Sequence, residues 1–124
     1  MKHYIVGIDL AGSVKRSTGF CALEMRSMKA FVTIVHTDGE ILEAVKSYKP
    51  LLIAIDAPLS LPKGRKSIEE RDEHHFRECD RALLNLGIKF FPITLGPMRL
   101  LTKRGIELKR MLEKLGYRVV ETYP

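Results

Sequence analysis

The chain has 124 residues, 45% hydrophobic and 29% charged, which fits a single globular domain over 1–124 and excludes a disordered chain, a collagen-like repeat or a cystine-stapled miniprotein. Lys and Arg number 21 against 15 Asp and Glu, a formal charge of +6, and no apolar run reaches the ~20 residues that span a bilayer. Two cysteines, Cys21 and Cys79, are too few for a disulfide framework; with no leader pattern in the sequence, free thiols, a cytoplasmic location and no membrane are expected.

Tyr4 to Ile8 is a short apolar run that ends at Asp9, and the polar, glycine-containing stretch Ala11 to Ser17 follows as a loop. Thr18 to Met25 and Lys29 to His36 are β-rich segments close enough to pair as a hairpin, so a three-strand meander opens the chain. Thr37 and Glu40 have the spacing of a capping box, and Ile41, Ala44, Val45 and Tyr48 then recur with helical period up to Pro50. Leu51 to Ile55 is uninterrupted by polar residues, as in a strand covered on both faces, and it ends on Asp56.

From Ala57 to Ser67, prolines, a glycine and Lys63, Arg65 and Lys66 make a loop. Phe76, Cys79, Leu83 and Leu86 predict the buried stripe of a helix stopped by Gly87, with the charged run 68–75 as an exposed lead-in or lid. His75 and Cys79 have an i, i+4 spacing that a metal accepts, but no second Cys/His pair accompanies them, which favours a solvated turn. Ile88 to Gly96 reads as a loop lying on the core. A helix from about Met98 to Leu115 follows, with a break expected at Gly105 and Leu108, Met111, Leu112 and Leu115 facing inward. Tyr117 to Glu121 is the last strand. Residues 97–118 hold Arg99, Lys103, Arg104, Lys109, Arg110, Lys114 and Arg118 against only Glu107 and Glu113, which suits either a nucleic-acid partner or a solvated helix face.

This order predicts an α/β fold. The meander leads into parallel strands, giving a mixed five-stranded sheet with helices on both faces, and a right-handed crossover through 37–50 lays the fourth strand beside the first. Asp9 and Asp56 then stand together at the carboxyl edge where open α/β sheets bind ligands, and Glu121 ends a third strand of like direction. Gathered carboxylates repel, and a hard divalent cation, Mg²⁺ or Mn²⁺, relieves that repulsion and suits phosphodiester hydrolysis. Each acid taken singly also suits a plain strand-end turn. Ser13 lacks the elbow of an acyl-transfer serine. Lys15 and Arg16 suit phosphate or solvent, and Arg77 with Asp80, three apart on a helix, suits either a phosphate or metal-water contact or a surface ion pair.

Four segments taken together, Tyr4-Ile5-Val6-Gly7-Ile8-Asp9-Leu10-Ala11-Gly12-Ser13, Ile55-Asp56-Ala57-Pro58-Leu59-Ser60-Leu61-Pro62, Arg77-Glu78-Cys79-Asp80-Arg81 and Val120-Glu121-Thr122-Tyr123-Pro124, resemble the successive motifs of an uncharacterised family of predicted nucleases with a ribonuclease H-like fold. The resemblance implies that fold. It also implies a metal-dependent nuclease with Asp9, Asp56 and Glu121 as catalytic metal ligands, and Arg77 and Asp80 as further site residues. With Ser13 and Lys15, these two are the candidate substrate-binding groups. Proteins of that fold commonly continue into a helix carrying another carboxylate, whereas this sequence ends at Pro124. Asp80 or Asp72, or a second subunit of a homo-oligomer, then supplies it, or the site binds nucleic acid without cutting. Two other readings stay open. One is a non-catalytic nucleic-acid or protein-interaction module; the other is an actin-like nucleotide-binding fragment, because Gly7 to Ser13 also resembles a first phosphate loop.

Overall fold

A computed structural model of the chain describes residues 2–61, 76–88, 93 and 96–122. Among these, five strands, β1 (Tyr4–Asp9), β2 (Thr18–Glu24), β3 (Ala30–Val35), β4 (Leu52–Asp56) and β5 (Val119–Glu121), form one sheet in the order β3-β2-β1-β4-β5. Three helices accompany it: α1 (Asp38–Tyr48), α2 (Glu78–Asn85) and α3 (Pro97–Lys114). β2 runs antiparallel to β1 and β3, and β1, β4 and β5 run parallel, so the expected mixed α/β sheet is present with the fourth strand beside the first.

The crossover begins on a complete capping box. The Glu40 N–H donates to Thr37 Oγ1 at 3.0 Å and the Thr37 N–H donates to Glu40 Oε1 at 3.1 Å, which satisfies two amides at the start of α1. That backbone donor holds the Glu40 carboxyl below its usual range. Lys49 ends the helix in the left-handed region, its N–H bonded to Val45 O, and so turns the chain into β4.

Alternation along the strands sends Val6, Ile8, Phe20, Ala22, Ile53 and Ile55 to one face. There they form a single core with Ile41 and Val45 of α1 and Leu108 and Leu112 of α3. The opposite face carries Gly7, Cys21 and Ala54, all partly exposed, with Val32 at 74% and Ile34 at 56% exposure. Thus α1 and α3 lie on the same side, and the expectation of helices on both faces is not met by these two. The apolar run Leu51 to Ile55 suggested double cover, but Leu51 precedes the strand and is exposed, and Leu52 and Ala54 are only half-buried. Among the described residues no helix is long and apolar enough to cross a membrane.

Two helices differ from their sequence expectation. In α2, Cys79 and Leu86 are exposed and the buried side chains are Arg77 at its N-cap and Asp80. The inward face is rotated by one residue and is polar. α3 is unbroken at Gly105, which is instead a point of close approach: a Cβ there would lie 2.7 Å from Pro58 O and 3.1 Å from Leu59 Cδ2. Ile93, within the segment expected to lie on the core, is fully buried.

Candidate functional site

Asp9 and Asp56 are the last residues of β1 and β4 and pair directly across these parallel strands. In-register residues share a face, and neighbouring strands lie about 4.8 Å apart, so the two carboxylates project side by side from the carboxyl edge. Among the described residues no hydrogen-bond donor reaches either one. Partial burial, followed by the charge of Asp9, raises the Asp56 pKa above the ordinary aspartate value. Gly19, opposite Asp9 on β2, and Gly7, whose missing Cβ would meet nothing within 4 Å, put no side chain at two positions beside Asp9 on this face.

Glu121 does not join them. It pairs with Ile55 rather than Asp56, which places it one residue short and on the other face of the sheet. Both its oxygens are bound by Arg77, at 2.6 Å from Nη1 and 2.9 Å from Nη2, and Oε2 also accepts the Leu59 N–H at 3.0 Å. Arg77 simultaneously grips Asp80 through Nε at 3.1 Å and Nη2 at 3.0 Å, and donates to Ser60 Oγ at 3.1 Å. Burial alone would lower its pKa, but the bonds and charges of Glu121 and Asp80 outweigh that effect and raise it. Arg77 and Asp80 are therefore partners, as the three-residue spacing allowed, but the pair is buried rather than on the surface. Among the described residues no three acidic, His or Cys side chains gather as a metal cluster, so the three-carboxylate convergence expected from the strand ends does not form.

α3 sets the position of both aspartate-bearing strand ends through consecutive residues. Arg104, nearly buried, donates to Ala11 O at 2.7 Å, to His36 O at 2.6 Å and to Asp38 Oδ1 at 3.0 Å, tying the loop after Asp9 to the start of α1. Gly105 seats the segment after Asp56, in which Ala57, Pro58 and Leu59 are buried. Arg104 thus leaves the basic stretch expected to face solvent or polyanion. Its register was the available signal, because 104, 108 and 112 share one helical stripe and Leu108 and Leu112 are core.

Between the loop after β1 and the first turns of α3 lies a cavity of about 460 Å³ that opens beside Asp9 and is lined in part by Ser13 and Arg16. Lys15 is exposed in the same loop. Asp72, Lys63, Arg65, Lys66 and the run 68–75 with His75 fall outside the described residues.

Asp9 and Asp56 are the residues that could hold a magnesium-like ion: two adjacent carboxylates, unmatched by any described cation, at an open edge of the sheet. The sequence model of a family described as protein of unknown function (DUF429) matches residues 7–124. Neither a curated protein nor a solved structure matches the chain.

Proposed function

The chain belongs to the DUF429 family, and we propose that this member is a metal-dependent phosphodiesterase acting on nucleic acid, with Asp9 and Asp56 holding Mg²⁺ or Mn²⁺. The in-register pairing, at the carboxyl edge of β1 and β4, of two carboxylates that no donor among the described residues reaches carries this reading. The strand order β3-β2-β1-β4-β5 is also the order expected of the ribonuclease H-like fold that the four sequence motifs resemble.

A divalent ion held there would polarise a phosphoryl oxygen and lower the pKa of a water toward neutrality. Asp9 and Asp56 are the residues that would hold it, and the glycines at 7 and 19 place no side chain in the way of a bulky backbone at their positions. Arg104, Gly105 and the Arg77–Glu121 bridge keep the two strand ends from moving apart. Glu121 is a positioning residue on this reading: through the Leu59 N–H it fixes the segment that follows Asp56. The exposed cations of the α3 region, Arg99, Arg110, Lys114 and Arg118, favour a polyanionic substrate by long-range attraction.

Hydrolysis of single-stranded and duplex DNA and RNA with Mg²⁺, Mn²⁺ or chelator tests the proposal. The expected outcome is divalent-dependent cleavage by the wild type that falls at least about 100-fold in Asp9→Asn and in Asp56→Asn. Cleavage that persists in both variants, or a folded wild type inert on all four substrates, overturns it.

A further inference from the structure

Resting on the Asp9–Asp56 reading, we propose that the cavity between the loop after β1 and the start of α3 is a subsite for one nucleotide unit of the substrate, its apolar body against α3 and its phosphate at the Ser13 and Arg16 rim. The cavity holds about 460 Å³, within the range of small-ligand pockets, and shares Asp9 with the carboxylate pair. Whatever fills it therefore reaches the proposed reacting edge. Its wall is apolar: Leu10, Met98, Leu100 and Leu101 contribute, and Leu100 is 59% exposed. Its rim is polar and cationic, with Ser13 and Arg16, and among the described residues the Arg16 guanidinium has no acidic partner. An apolar wall facing a hydroxyl and a cation without an acidic partner among the described residues matches a flat ring joined to a phosphate, and neither part alone.

The subsite is also preformed. The Ala11 N–H donates to Thr18 Oγ1 at 3.1 Å while its carbonyl accepts from Arg104, so the loop is fixed on both sides of the peptide. Gly12 closes the floor: a Cβ there would sit 3.6 Å from Leu101 N, in ordinary contact with the helix. Little ordering remains to be done on binding, which favours recognition of a single unit by shape.

Amide NMR titration of the full chain, first in chelator, distinguishes a free nucleotide from one within a strand by using adenosine 5′-monophosphate and a tetra-adenylate as separate probes. We expect shifts centred on Gly12, Ser13, Leu100 and Leu101, tighter binding of the tetranucleotide, and at least about tenfold weakening in Leu100→Glu and in Arg16→Glu. Both positions are exposed, so both variants retain the wild-type fold. Asp9→Asn should still bind in chelator and lose only the gain that Mn²⁺ adds. Shifts confined elsewhere, unchanged affinity in Leu100→Glu, or no binding of either probe at millimolar concentration overturns the subsite. Binding at these amides with no gain from Mn²⁺ leaves the subsite standing and removes the metal-dependent function instead.

Discussion

Two groups of acids sit at the same edge of the sheet and are treated in opposite ways. Glu121 and Asp80 share one buried arginine, which donates to every oxygen of the two carboxylates, and the Leu59 amide adds one more donor. Asp9 and Asp56, one strand away, stand beside each other with no donor among the described residues, and the fold holds Asp56 against its preference for ionisation. An arrangement kept despite repulsion is expected where a ligand supplies the missing charge. The contrast separates acids that hold the structure from acids available for binding, although all four end or flank β segments or their neighbouring helix.

The largest effect is expected from removing the arginine. Arg77→Met strands two carboxylates without their partner, and urea unfolding should show a loss of about 3–5 kcal/mol. A loss below about 1 kcal/mol would mean that the cluster is solvated in practice and resembles the other pair more than the geometry indicates. Gly105→Ala comes next. Its new Cβ meets the Pro58 carbonyl, so the gain in helix propensity is outweighed by displacement of the segment after Asp56, and about 1–3 kcal/mol should be lost. Asp56→Asn should move stability the other way, upward by less than about 1 kcal/mol, because it removes a like charge exposed in part to water.

The smallest effect comes from an acid paired like Glu121 but fully at the surface. Because the Thr37 amide lowers the Glu40 pKa, its contribution to α1 is present above the ordinary carboxylate range. It is lost as pH falls through the lowered value. Thermal unfolding of Glu40→Gln should therefore lack that acid-side decline relative to the wild type.

Much of the frame was legible from residue patterns. The apolar run ending at Asp9, the capping box at Thr37 and the second run ending at Asp56 define a crossover that returns β4 parallel to β1 and beside it. Local patterns did not reveal registers or partners. Glu121 ends its strand as Asp9 and Asp56 do, but a one-residue offset against β4 turns it to the other face, and an offset depends on how β5 docks. Arg77 is found sequentially near Asp80, whereas its bond to Glu121 spans 44 residues and is set only by tertiary packing. Gly105 looked like a helix break because propensity sees its flexibility, while its use here is the close approach of two backbones. Arg104 was the more legible of the unexpected groups, since an arginine in register with Leu108 and Leu112 has to be buried with its own acceptors.

The central claim is that Asp9 and Asp56 together complete a divalent-ion site that the Arg77 cluster does not. Thermal unfolding with and without millimolar Mn²⁺, in the wild type, Asp9→Asn, Asp56→Asn and the surface control Glu40→Gln, tests it directly. Mn²⁺ should raise the melting temperature of the wild type and the control and leave both aspartate variants unmoved. An equal shift in all four proteins, or none in the wild type, would contradict it.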